Sequence, residues 1–262
     1  MKRKFAAVAL AGGALERDFR AAGYDVVNKA YLPIGDSTML ERVLKALYGS
    51  ASVGRIRCVT QPDAFRAAFG DASAMGIEIV EPGAGVIDSV LAGLQGLAPD
   101  ELVLLCATDI PLATPAAIDA FAAKVAAADA DVDYGFVSRA SHARRYPQIR
   151  HTWVRLREGT FCGGGISAVR AGAAPAVADA FRKLVVARKS PFKLAALISP
   201  WLIFRLLLGN VSVAEVEGRG GQILGVSVRG IMSDDPELAV NVDCLSDLRA
   251  VESIIQGVTK RA

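Results

Sequence analysis

Two aspartates, one lysine and a pair of glycines give this sequence its most definite chemistry. Asp109 follows the apolar run Leu102 to Cys106 within Ala107-Thr108-Asp109-Ile110-Pro111, and Asp243 closes Asn241-Val242-Asp243 shortly before Ser246-Asp247-Leu248. Taken singly, each has an ordinary use, Asp109 in accepting from turn amides and Asp243 in introducing a helix. Taken together, two carboxylates at strand ends on one sheet edge suit Mg²⁺, which takes one or two carboxylates and completes its shell with substrate phosphates and water. Leu10-Ala11-Gly12-Gly13 ends another apolar run, and backbone N–H groups there can approach a phosphate with no Cβ in the way. A tight turn after a buried strand would need the same glycines. The spacing matches neither the three-glycine dinucleotide motif nor the P-loop, so neither of those sites is expected.

The order of these groups resembles that of the MobA-like NTP transferases, the superfamily of sugar-phosphate, molybdopterin and methylerythritol-phosphate nucleotidyltransferases. Leu10-Ala11-Gly12-Gly13, Lys29, Pro33-Ile34-Gly35, Met39-Leu40-Glu41, Asp109-Ile110-Pro111 and the closing Asn241-Val242-Asp243 fall in the family's sequence, over nearly the whole chain. The resemblance implies an α/β fold, a Rossmann-like GT-A type three-layer sandwich with a mostly parallel mixed sheet and the NTP across its C-terminal strand ends. It implies a Mg²⁺-dependent transfer of a nucleoside monophosphate from an NTP to a small phosphorylated acceptor, with release of pyrophosphate. It places Lys29, Arg17 and Asp109 in catalysis, Asp109 and Asp243 on the metal, and Leu10, Ala11, Gly12, Gly13, Lys29 and Thr108 against the nucleotide. Glu81 to Leu94 is similar to the glycine turn and following helix of the cytidylyltransferases, which adds Gly83, Gly85 and Ser89.

One segment departs from the family. Leu15-Glu16-Arg17-Asp18-Phe19 replaces Ser-x-Arg-Met-Gly, losing a hydroxyl and a glycine and gaining acids that oppose a phosphate. Two rivals therefore stand beside the transferase. A glycosyltransferase on the same sheet would want a DxD-like pair where this chain has Thr108-Asp109-Ile110-Pro111. A nucleotide-binding regulatory protein without turnover would tolerate the altered loop.

Acceptor recognition falls to the second half. From Arg139 to Arg157 there are six arginines and both histidines without an acid, a density on loops that suits a phosphate, with Arg139 and Arg145 as candidates, or simply a solvated basic surface. Gly163 and Gly164 resemble the family's glycine turn beside the acceptor. Arg182, Lys183, Arg188, Lys189 and Lys193 precede the apolar stretch Leu194 to Leu208, which is too short and too interrupted to span a bilayer. Its plain reading is a buried helical pair; peripheral membrane contact or a lipid-linked phosphate, with Arg188 and Lys189 at the headgroup, is the alternative.

An alternation of apolar runs and helix-like segments must position these groups. Strands are expected at Phe5 to Leu10, Ile56 to Thr60, Ile77 to Val80, Leu102 to Cys106 and Tyr134 to Ser138, with helices at Met39 to Tyr48, Val86 to Leu97 and Ala116 to Ala127. A hairpin near Trp153 to Phe161, helices over Ala176 to Val186 and Pro191 to Leu208, strands Ile223 to Ile231 and Ala239 to Val242, and a helix from Ser246 to Gln256 would follow. At 262 residues and 52% hydrophobic, the chain is expected to be one domain, with a helical basic and apolar insertion at about 176–210. A net charge of +3 gives nucleic acid no bulk electrostatic attraction. Four scattered cysteines without a CxxC pair read as reduced core residues. The first apolar run breaks at Gly12-Gly13 with no cleavage site, so a cytoplasmic protein is expected; a homo-oligomer stays open.

Overall fold

No polar residue interrupts Phe5-Ala6-Ala7-Val8-Ala9-Leu10, and this run forms β1 (Phe5–Leu10), buried on both faces at the centre of a sheet. The computed structural model describes residues 4–187 and 199–259; Arg188, Lys189, Lys193 and the apolar residues 194–198 lie outside the described residues. On one side of β1 lie β4 (Val53–Val59) and β5 (Ile77–Val80), and on the other β6 (Leu102–Ala107), all parallel. β9 (Gly159–Arg170) inserts antiparallel between β6 and β7 (Val132–Ser138), and β10 (Val228–Ser233) closes that edge parallel to β7. β8 (Val154–Leu156) pairs with the start of β9, and β2 (Pro33–Ile34) with β3 (Ser37–Thr38) forms a separate ribbon. The main sheet therefore runs β10-β7-β9-β6-β1-β4-β5, mostly parallel with one reversed strand.

Alternation along β1 assigns the layers. Ala7 and Ala9 join the core under α2 (Met39–Gly49), α3 (Pro62–Phe69) and α5 (Pro115–Ala128), while Ala6 and Val8 face α4 (Val86–Leu94) and α7 (Ala174–Ala187). Thr38 and Thr114 cap α2 and α5 by accepting from the backbone N–H groups of Glu41 and Ala117, and Pro115 occupies the first turn of α5.

Several sequence expectations need correction. The basic stretch after Ser138 is no loop at its start: Ser138 caps α6 (Arg139–Arg145) by accepting from Ser141 N–H. The strand expected from Ile223 begins only at Val228, because the Ser212/Glu215 capping box starts α9 (Val213–Leu224), which runs on until Gly225 at φ 70° ends it. Ala239 to Val242 joins no sheet; it leaves a short 3₁₀ turn and leads to α10 (Leu245–Thr259). α1 (Arg17–Ala21) and α3 were not expected. The apolar stretch contains α8 (Pro200–Leu207), where Trp201, Phe204, Leu207 and the following Leu208 are exposed, unlike a buried pair. Among the described residues no helix is long and apolar enough to cross a membrane.

One strand residue carries an uncompensated cost. Asp133 on β7 is fully buried, and neither carboxylate oxygen has a hydrogen-bond partner. Burial pushes its carboxyl up to about 6, against the partial relief given by Arg170 and Arg229. The folded protein thus holds this proton to higher pH than the unfolded chain, so the group's contribution to stability falls as pH rises from about 4 to about 6. Asp133→Asn is expected to stabilise the protein at neutral pH by about 1–3 kcal/mol and progressively less toward pH ~4. Denaturation curves at both ends of that window check this; an equal gain at both would refute the titration.

Candidate active site

Four parallel strands deliver their C-terminal ends to one edge of the sheet, and a few buried polar groups lock those ends together. Thr108, just past β6, donates its hydroxyl to the Leu10 carbonyl at 2.9 Å. Asn28 is buried, and its amide donates to the Ala11 carbonyl (2.8 Å) and to Gln61 Oε1 (3.2 Å) while its carbonyl oxygen accepts from Ala30 N–H (2.9 Å). The turn of residues 29–31 is thereby fixed beside the glycine pair. Tyr31 and Thr60 share a hydroxyl hydrogen bond of 2.7 Å, tying the same turn to the end of β4.

Lys29 leaves this turn into the space between the remaining elements. Its ammonium donates to Asp109 Oδ2 at 2.9 Å and to Asp243 Oδ1 at 3.0 Å, with Glu16 Oε1 at 3.5 Å. Burial alone would lower the Lys29 pKa; the charges and hydrogen bonds of Asp109 and Asp243 outweigh it, so the net shift is upward. Lys29 is a permanent cation and no proton acceptor. Asp243 reaches Asp109 because Val242 N–H donates to the Asp109 carbonyl (2.9 Å) and Asn241 Nδ2 approaches Asp109 Oδ1 (3.4 Å). Asp247 Oδ2 accepts from the N–H groups of Asp243 and Cys244, both at 3.1 Å, which fixes the entry to α10.

Three carboxylates around one ammonium leave this point net negative. Two of them, Asp109 and Asp243, aim hard oxygen donors at a common cation, and this fits Mg²⁺. Among the described residues no three His, Cys, Asp or Glu side chains are grouped so that they could hold a metal ion by themselves. The open form, two carboxylates completed by a substrate, is the one these residues suit.

Above the cluster lies a cleft of about 680 Å³. Leu10, Ala11, Gly12, Gly13, Lys29, Gly83, Gly85, Ser89, Thr108 and Asp109 all line it. Gly12 is required by space, since a Cβ there would meet Pro82, whereas Gly13 and Gly85 face open room. Ser89 accepts from Gly83 N–H at 3.1 Å and so shapes the second glycine turn. Asn28, Gln61 and Glu16 also line the cleft and were not anticipated; an Asn placed to cap the turn beside Lys29 was the legible signal for the first.

Other candidates lie elsewhere. Arg17 is exposed at the start of α1 and does not line the cleft. Arg139 packs over the Trp153 ring (5.9 Å) beside a separate hollow, and Arg145 pairs with the buried Glu237 at 3.4 Å. His142 and His151 face one another at 2.8 Å between ring nitrogens, and burial brings the His142 pKa down to about 4. Gly163 and Gly164 sit at a break in the β7/β9 register between Tyr134 and Phe136, where a Cβ at Gly163 would collide with the Tyr134 hydroxyl.

Residues 7–154 match the family model of the MobA-like NTP transferase domain, more than half of the chain. The chain belongs to this family. As a MobA-like NTP transferase it is nucleotidyltransferase-like, and its sheet has the GT-A-like form of its structural neighbours. A hypothetical transferase from Thermus thermophilus is 31% identical, with 94% of this chain and 99% of that chain covered and a TM-score of 0.78. CMP:2-keto-3-deoxy-manno-octonic acid synthetase complexed with CTP shares the fold at 14% identity, covering 97% and 99% of the two chains, TM-score 0.60. 4-Diphosphocytidyl-2C-methyl-D-erythritol synthase does so at 16% identity, covering 97% and 100%, TM-score 0.57. No curated protein sequence matches the chain.

Asn28→Ala leaves the Ala11 carbonyl and the Ala30 N–H without their side-chain partner, so this MobA-like transferase is expected to lose about 1–3 kcal/mol of stability. Urea denaturation measures it, and a loss below ~0.5 kcal/mol, the ordinary range for a surface change, would show that the turn is held by other contacts.

Proposed function

We propose that the protein is a Mg²⁺-dependent nucleotidyltransferase that moves a nucleoside monophosphate from an NTP to a phosphorylated acceptor and releases pyrophosphate. One observation carries the proposal: Lys29, which lines a glycine-lined cleft together with Asp109, donates within 3.0 Å to both Asp109 and Asp243 in a chain of this family. Asp109 and Asp243 would hold Mg²⁺, which when bound neutralises charge on the triphosphate and polarises the α-phosphate.

The chain's own groups account for the rest. The open backbone at Gly13 and Gly85 admits the phosphates and base without a Cβ in the way. Lys29, released from its two carboxylates when another cation takes them, is free to meet the triphosphate as a point charge. No general base is needed, because a phosphate monoester with a second pKa of about 6 is already a dianion at neutral pH. Its oxygen attacks the α-phosphorus in line, the bond from that phosphorus to the bridging oxygen breaks, and pyrophosphate leaves with the electron pair. Positioning and charge stabilisation supply the rate. Arg17, exposed outside the cleft, would take part only after α1 moves, and the proposal does not depend on it.

Asp109→Ala and Asp243→Ala are each expected to lower pyrophosphate release by a factor of about 100 or more while the protein stays folded. The assay pairs each of the four NTPs with sugar, polyol and lipid phosphates. Near-normal turnover in both variants would sink the metal site, and Mg·NTP binding with no release from any pair would point instead to a nucleotide-binding regulatory protein.

A further inference from the structure

A second hollow opens from the same strand ends. It has a volume of about 400 Å³, at the small end of ligand pockets, which span about 300–1,000 Å³. Its floor is the β6, β9 and β7 strands, and α4 and α7 wall it with Val90, Leu91, Val177 and Phe181. Arg182 on α7 pairs with Asp88 on α4 at 2.8 Å, linking the two walls. Among the described residues the lining has no charged side chain; Tyr134, Ser167 and Asn241 are its polar ones. Three large side chains of that lining, Val86, Tyr134 and Phe181, are left exposed at 74%, 52% and 46%. Apolar groups kept in water around a concave surface mark a place where something apolar binds.

The hollow is continuous with the nucleotide cleft, for Leu10, Val86 and Ala107 line both. Its polar end is Asn241, 3.4 Å from Asp109 Oδ1. A molecule filling it would thus put its head where the acceptor phosphate must stand and its body against Val90, Leu91, Val177 and Phe181. A sugar or polyol body would leave hydroxyls without partners on those walls, each lowering affinity by roughly 5- to 150-fold.

Resting on the nucleotidyltransferase reading above, we propose that the acceptor is an amphiphile, a phosphate monoester of an aliphatic alcohol whose hydrocarbon chain lies between α4 and α7. The product is then a nucleoside diphosphate-linked aliphatic chain: the monoester dianion forms one P–O bond to the α-phosphorus, the bond to the departing pyrophosphate breaks, and the summed charge is unchanged.

The test uses the full chain with Mg²⁺, a saturating NTP and n-alkyl phosphates from butyl to dodecyl below their micellar concentrations. Direct binding of each alkyl phosphate is measured by calorimetry beside pyrophosphate release. Affinity is expected to rise about fourfold per methylene, the equivalent of about 0.8 kcal/mol, until the hollow is full. Phe181→Asp, a change at an exposed position, is expected to flatten that slope and leave NTP affinity unchanged. Vesicles carrying phosphatidic acid form a second arm that separates a membrane-held from a dissolved acceptor, and turnover in either arm supports the proposal. Turnover of polar phosphates with no dependence on chain length would overturn it while leaving the transferase standing, as would a slope unaffected by Phe181→Asp. Length-dependent binding with no pyrophosphate from any pair would keep the chain site and remove the transferase.

Discussion

Lys29 bonds to two carboxylates that stand 80 and 214 positions away in the chain, and much of the structure exists to bring those three groups together. In isolation the cluster is unfavourable, since the Lys29 ammonium and the Asp109 carboxylate are largely withdrawn from water and the negative charge is in excess. It persists because each member is placed by neutral contacts that do not involve the charge. Asn28 fixes the lysine's turn, Thr108 fixes the strand end before Asp109, and the Val242 N–H carries Asp243 onto the Asp109 backbone. The scaffold therefore holds a net negative point open at the end of a sheet.

The loop that departs most from its family takes on meaning in this light. Asp18, an acid opposite to what a phosphate loop wants, accepts from Leu245 N–H at 2.9 Å and so ties α1 to the first turn of α10. Leu15, Phe19 and Met39 pack with Val240, Val242, Leu248 and Val251 in a small core of their own. That core fastens the start of the chain to its end, just behind Asp243. The loop's altered residues serve structure here, Asp18 through its bond to Leu245 and Leu15 and Phe19 through packing.

The reversed strand β9 shapes the other half of the site. It runs antiparallel to both neighbours, keeping a regular register with β6 but shifting against β7 between Tyr134 and Phe136, beside Gly163 to Gly165. A Cβ at Gly165 would strike Ile110, the residue after Asp109, so the glycines let β9 pass close beneath that turn. The two hollows meet at Leu10, Val86 and Ala107, with Asp109 lining one and Asn241 the other.

Local signals made much of this legible in the sequence. Apolar runs without polar interruption gave β1 and β6, alternation gave β5, Thr114-Pro115 located α5, and the resemblance singled out the glycines, Lys29 and Asp109, which line one cleft, and Asp243, which bonds to Lys29. The Ser212/Glu215 capping box was legible too, and would have kept α9 from being read as strand. Other features carry no local trace. Arg17 and Arg145 look alike as candidates, yet one is exposed on α1 and the other is spent on buried Glu237, and only the packing of distant segments decides that. The sequence by itself determined which chemical groups are available and which runs must be buried, since these follow from composition and period over a few residues. Which groups meet, which face solvent, and that an apolar hollow adjoins the cleft lined by Asp109 were decided by the tertiary structure, because contacts across 80 or more positions depend on the direction in which each element presents its side chains.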